Sequence, residues 1–337
     1  MIWLTWRQFR TQALVVFAAL ASLAVILAVT GPQLAQDYAN GIAACNAGGG
    51  CSTFMSQFFD DNSTLYNGLI VVTMVVPGVI GLFWGAPLIT RELEAGTHRL
   101  VWNQTVTRTR WLAVKLGLTG LAAMAAGGLL SLAVTWWSSP IDKAAGSEFP
   151  RLSPVLFASR DIAPIGYAAF AFALGVTVGM LIRRTLPAMA ITLAVFVAVQ
   201  IAMPLWIRPH LITPAQVSTA ITATNLGNVY ASGPEGPVTK LTVTFNEPGA
   251  WIISNQTIDA TGQVASPLPS SVANCLLPAP LVPECLGKLT DLGYRQQVTY
   301  QPGSRYWAFQ WSETTIFLTL AVLLAGFCFW WIRRRLS

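Results

Sequence analysis

Charge is what this chain lacks most. Asp, Glu, Lys and Arg make up only 10% of its 337 residues, against roughly 25% in soluble domains. That shortage excludes an ordinary water-soluble globule. Histidine is nearly absent too. His98 and His210 fall on segments expected on opposite sides of a membrane, so a zinc site with about four convergent ligands has no ligand set. No Asp, Glu, Lys, Arg or His stands in the middle of any long apolar run. Ion-coupled carriers, proton pumps and voltage sensors need such groups at depth. The phosphate-cradling pattern GxxxxGK[ST] is missing as well. The only Gly-Lys pair, Gly287–Lys288, has no glycine at the required upstream position. Active work would therefore draw its energy from another subunit.

What is present is hydrophobic length. Mean hydropathy is +0.55, and six apolar runs lie near 12–30, 66–89, 112–136, 162–182, 186–207 and 314–332. About 20 apolar residues satisfy their own backbone as a helix and match the hydrocarbon thickness of a bilayer. The expected fold is an all-α membrane protein of six transmembrane helices. The first run reads as an anchor, because it exceeds a leader's apolar core and further spans follow it.

The basic residues give the direction. Arg7, Arg10, Arg91, Arg99, Arg108, Arg110, Lys115, Arg183, Arg184, Arg333, Arg334 and Arg335 all flank alternate ends of the runs. Only Glu92 and Glu94 oppose them there. By the positive-inside rule these segments, and both termini, are cytoplasmic. The pI of about 9.3 then reflects orientation and anionic headgroups, not nucleic acid. The opening MIWLTWRQFR reads either as an interfacial helix, with Ile2, Trp6 and Phe9 on one side, or as a plain start to the first span.

Four of the five cysteines form close pairs outside the spans, Cys45 with Cys51 and Cys275 with Cys285, while Cys328 is alone in the sixth. Both pairs fall on the outer side, where two disulfides are favoured over free thiols. The outer loop 31–65 is expected to be short and Gly-rich, and 137–161 irregular because of Pro140, Pro150 and Pro154. Residues 183–185 form a tight inner turn. The chain divides into residues 1–208, a soluble-like segment 209–312, and residues 313–337. The middle segment carries strand-like runs at 240–245, 250–253 and 296–300. It reads as a small β-containing extracellular domain without a Ser/His/Asp set. Gly78, Gly81, Gly85, Pro77 and Pro87 crowd the second span, and Gly175 and Gly179 stand at GxxxG spacing in the fourth. They read as close helix packing, with a hinge at the prolines as the alternative.

The longest inner segment is TRELEAGTHRLVWNQTVTRTRWLAVK, residues 90–115. On charge alone it is a solvated loop; on apolar spacing it is a short amphipathic docking element. Together with GLFWGAPLI before it, YQPGSRYWAFQWSE before the last span and FWWIRRR after it, it resembles the permease subunits of type-two ATP-binding-cassette exporters, most closely those of actinobacteria. The resemblance runs over nearly the whole chain and is strongest at 81–116 and 300–335.

The resemblance implies an N-terminal elbow helix at residues 2–10 and a coupling element holding Arg91, Glu92, Glu94, His98 and Arg99, with Glu92 and Glu94 as contacts to the ATPase. It implies two ATPase subunits that bind ATP and Mg, no cofactor in this chain, and a second permease, as a homodimer, in a bacterial plasma membrane. A cavity lined by the second and fifth spans would take a drug, antibiotic or lipid-like cargo, with Phe83, Trp84, Phe196 and Gln200 as its lining. Arg305, Trp307, Trp311 and Glu313 would shape an outer gate, or else form an aromatic belt with an interfacial ion pair. A non-transporting signalling machine and a membrane enzyme are the alternatives. The enzyme is opposed by the missing acid, base and metal sets.

Overall fold

The computed structural model describes residues 2–48, 50–96, 107–146, 149–232, 237–268 and 283–334. Among them, six helices are long and apolar enough to cross a membrane. Span 1 is Ile2–Gly48 and span 2 is Ser52–Glu94. Span 3 is Arg108–Ala145 and span 4 is Ala163–Ile182. Span 5 is Thr185–Leu211 and span 6 is Tyr306–Arg334. Span 4 is the central helix. Apolar residues surround it on every side, and almost all of them are buried, as expected for a helix with neighbours all round. Spans 1, 5 and 6 turn large apolar side chains outward, among them Val15, Leu186 and Val322.

The chain forms two compact units. One is Met1–Phe149, Ser153–Arg208 and Trp307–Ser337; the other is Pro150–Leu152 and Pro209–Tyr306. The second is built on two antiparallel sheets. Its strands are β1 (Ala215–Thr219), β2 (Leu226–Ala231), β3 (Val238–Val243), β4 (Trp251–Ile258) and β5 (Arg295–Gln301). One sheet has the order β1-β5-β4 and the other pairs β2 with β3. The Asn255 side chain bonds both the N–H and the C=O of Val243, which ties the sheets together. The three strand-like runs of the sequence correspond to β3, β4 and β5. In the turn after β4, the Thr261 hydroxyl, at 2.6 Å, and the N–H groups of Gln263 and Thr261 bond Asp259 and hold its carboxyl below the usual range.

Three expectations change. Residues 2–10 are not set off as a separate elbow, because they run into span 1 without a break. The segment 31–65 is not a loop. Span 1 continues to Gly48 and span 2 begins at Ser52, so the two form a helical hairpin. A 47-residue helix is about 70 Å long at 1.5 Å per residue, far more than the ~30 Å hydrocarbon core. Leu34, Tyr38, Phe54 and Phe58 pack inside the hairpin, and Cys45 and Cys51 are joined by a disulfide at its tip, Cα–Cα 5.1 Å. Replacing Cys51 by Ser should destabilise the hairpin by about 2 kcal/mol, the loop entropy of so short a ring, read as a lower Tm; an unchanged Tm would show that packing alone holds the tip. Cys275 and the side chain of Cys285 lie outside the described residues. The third change is the segment 137–161: span 3 continues to Ala145, Pro154–Ala158 is a short helix, and Leu156 to Asp161 are buried.

Candidate functional site

Span 2 is not a uniform helix. Its turn Gly81–Gly85 is a π-helix, in which the N–H of Ala86 bonds the C=O of Gly81. Pro87 explains the widening. It has no N–H to give, and its ring clashes with the carbonyl four residues back. The wide turn lies against span 4 at backbone distance. A Cβ on Gly81 would stand 2.6 Å from the Ala171 carbonyl oxygen, and one on Gly85 2.6 Å from that of Phe172. On the facing helix, a Cβ on Gly175 would meet Ala86 N at 2.7 Å, and one on Gly179 would meet Ala86 O at 2.6 Å. The two GxxxG sequences of the chain therefore form one interface.

Beyond the π turn, span 2 ends as the amphipathic helix Ala86–Glu94, at the end of the bundle that carries the basic residues. Its two carboxylates are engaged within the chain. Glu92 pairs with Lys115 at the start of span 3 and accepts a bond from Gln8 of span 1 at 3.3 Å. Lys115 is buried and lies 4.9 Å over the Trp111 ring. Glu94 accepts the N–H of Thr185 at 2.9 Å and is bonded by its hydroxyl. Thr185 begins span 5, so Glu94 satisfies a free donor at a helix N-terminus, where the dipole favours an anion. One short helix thus holds spans 1, 3 and 5 by two carboxylates. The turn from span 4 to span 5 is tight, as expected, with Arg183 left-handed at φ 58°. Arg91 is exposed, and His98 and Arg99 lie outside the described residues.

The opposite end of the bundle is closed by a buried polar cluster. Glu313 of span 6 is fully buried. It takes two bonds from Arg208 of span 5, at 2.8 and 3.0 Å, and one from the Tyr167 hydroxyl of span 4. This bidentate geometry is the strong form of the pair. The Arg208 guanidinium also lies 4.1 Å over the Phe157 ring. A second π turn, Met203–Ile207, precedes Arg208 and itself contains a proline, Pro204.

The segment Ser153–Ile162 sits beside this cluster. Pro154–Ala158 is a short helix, and Leu156 to Asp161 are buried. Gln310 of span 6 accepts the N–H of Ala163 at 2.9 Å and donates to the carbonyls of Phe157 and Arg160. Thr135 and Ser131 of span 3 bond the N–H and C=O of Asp161, which is held left-handed at φ 54°. Arg160 is fully buried; it bonds Asp142 at 3.3 Å and lies over Tyr66. Tyr66 itself donates to Asp142 at 2.6 Å. The segment is buried and fixed by contacts from spans 2, 3, 4 and 6.

The expected residues divide accordingly. Phe83 is half exposed, but its neighbour Trp84 turns inward and meets Phe9 edge-on at 4.7 Å. Phe196 is buried against Gly78 of span 2. Gln200 is half-buried in span 5, and its Nε2 has no bonding partner among the described residues. Trp307 and Trp311 are exposed. Arg305 bonds the Thr213 carbonyl and Gln301 within the β unit, so Glu313 takes Arg208 as its partner. Sequence reading missed Arg208, Tyr167, Gln310, Asp142, Arg160 and Lys115 as members of buried clusters. The one available signal was that each is a polar residue within a few positions of a span boundary.

A family profile described as ABC-2 membrane transporter related matches residues 17–208. No curated protein matches the chain, and no solved structure does.

Proposed function

The chain belongs to the ABC-2 membrane transporter related family, whose profile covers more than half of it, and from that premise we propose that it is the permease subunit of an ATP-driven exporter of hydrophobic or amphipathic compounds. Six apolar helices make it a multi-pass membrane protein. The family is the non-catalytic membrane component and implies an ATPase partner. Two ATPase subunits, with ATP and Mg, would act beneath two copies of this chain in a bacterial plasma membrane. The basic end would be cytoplasmic, and the β unit and disulfide outside.

The observation that carries the mechanism is the fastening of Ala86–Glu94 to spans 1, 3 and 5 through Glu92 and Glu94. A push on this helix by an ATPase is delivered to three spans at once. The contact to the ATPase then belongs to residues beyond this helix, His98 and Arg99, while Glu92 and Glu94 pass the movement on. Spans 2 and 5, with Phe83 and Gln200, would line the cargo path, and the segment Ser153–Ile162 would be its outer gate.

Affinity purification of the tagged full-length chain from native membrane tests this. The wild type should bring down an ATPase in equal amount. His98→Glu/Arg99→Glu should lose it. Glu94→Ala should keep it but make ATP turnover several-fold less responsive to cargo. A permease that purifies alone in mild detergent with nucleotide present would overturn the assignment. Loss of the ATPase in Glu94→Ala, from an otherwise folded permease, would return Glu94 to the contact itself.

A further inference from the structure

At the basic end, a recess of about 270 Å³ lies between the first turns of span 1, the π turn of span 2 and the start of span 3. Its walls are of two kinds. Gln8, Gln12, Arg91 and Lys115 offer donors beside the Glu92 carboxylate, while Phe83 and Trp84 offer aromatic surface. Lys115 is paired with Glu92, so the recess keeps one net positive charge, that of Arg91. Trp3 and Trp6 are exposed on the same stretch of span 1, with the Arg7 guanidinium 5.3 Å over Trp3. Arg334 stacks on Trp330 at the end of span 6 in the same manner, at 5.6 Å. Exposed tryptophan beside arginine marks the membrane–water interface.

We propose that this recess is a binding site for an anionic phospholipid, with the phosphate at Arg91 and the two glutamine amides, and an acyl chain leaving over Phe83. The charge selects the class. A phosphodiester carries a single negative charge and matches the net charge of the lining. A choline headgroup would add a cation beside Arg91 and Lys115. A purely apolar guest would cover the Arg91 guanidinium and the Gln12 amide without offering either an acceptor. Free phosphate would satisfy the donors but leave the aromatic wall uncovered. The bound lipid bridges the first turns of span 1 to the helix Ala86–Glu94. If the chain is an exporter permease, the lipid therefore sets how freely the coupling helix moves, but its binding does not depend on that function.

Lipid retention on the purified full-length permease, without any ATPase, tests the site. Native mass spectrometry would follow titration with phosphatidylglycerol, phosphatidylcholine of the same chains, and glycerol phosphate. One phosphatidylglycerol should be held several-fold more tightly than phosphatidylcholine, and glycerol phosphate should not be retained. Arg91→Gln should weaken phosphatidylglycerol about ten-fold, as loss of one charge-assisted contact. Gln12→Leu should weaken it by a smaller factor. Arg184→Gln, an exposed cation at the same end and outside the recess, should leave retention unchanged. Arg91 is exposed, so its variant keeps the fold, and Arg91→Lys should retain most of the preference. Equal retention of the two lipids, or equal loss in Arg91→Gln and Arg184→Gln, would overturn the site. Retention of glycerol phosphate as tight as that of the lipid would make it a phosphate site and overturn the lipid assignment.

Discussion

Glu313→Ala should destabilise the membrane bundle by about 3–5 kcal/mol, the usual result of removing one partner from a buried ion pair. The loss is not that of the attraction alone. Glu313 and Arg208 are both buried, at 0% and 1% side-chain exposure. The variant leaves the guanidinium without its carboxylate and the Tyr167 hydroxyl, also buried, without its acceptor. Each neutral buried donor left unmade costs about 1–3 kcal/mol, and a charged one more. The triple variant Arg208→Met/Glu313→Leu/Tyr167→Phe removes every member of the set. It should recover most of the loss, because an apolar core of similar volume matches a buried pair in stability. Thermal unfolding of the purified protein in one detergent reads both. If Glu313→Ala unfolds with wild-type Tm, the cluster is not what fastens spans 4, 5 and 6. If the triple variant is as unstable as the single one, shape and not charge is the cause. The stable triple variant also isolates the cluster's part in transport. A bundle that folds but leaks cargo would mark the cluster as the fastening of the outer gate.

The spans were legible because hydrocarbon imposes length and apolarity on any helix that crosses it, and no tertiary detail enters that rule. Strands β3 to β5 were legible by alternation and their turn residues. The buried clusters were not, for two physical reasons. Their members come from distant parts of the chain, as when Tyr167 and Arg208 meet Glu313, so no local window contains the partner. The π turns also break the helical period. One extra residue in a turn rotates the rest of the helix by about 100°. Arg208 comes directly after such a turn, and a regular helix read through it puts the side chain on the wrong face. The bonding of Glu92 and Glu94 was hidden in another way. Two carboxylates in a basic loop look free to meet a partner, yet Lys115 and the N-terminus of span 5 already hold them. The hairpin beyond residue 31 was read as loop because its glycines at 48–50 mark only the tip. Pro140 suggested an irregular segment from 137, yet span 3 runs through it to Ala145, and nothing local around Pro154 shows that Leu156 to Asp161 are buried.

Gly175→Leu should prevent the bundle from assembling, and even Gly175→Ala should cost about 2 kcal/mol, within the range for forcing a methyl into a packed interior. The close atoms are backbone. A Cβ on Gly175 would lie 2.7 Å from Ala86 N and 3.0 Å from Gly85 Cα, and closer still to the Gly81 carbonyl oxygen. No rotamer change can relieve this, so spans 2 and 4 must separate. In lipid, helices gain little from burying apolar area, and close packing is what holds them together. Separation therefore removes the main attraction between two spans. It also lifts the π turn off its support, and with it the helix that fastens spans 1, 3 and 5. Gly117 gives the contrast. It is also a glycine within a span, but nothing lies within 4 Å of its Cβ position. Gly117→Ala should be neutral or slightly stabilising, since alanine is the better helix former. Monodispersity on size exclusion and Tm compare the variants directly. A Gly175→Leu protein that purifies as well as Gly117→Ala would mean that spans 2 and 4 do not meet at the π turn, and the helix Ala86–Glu94 would have to be joined to the bundle through span 3 instead.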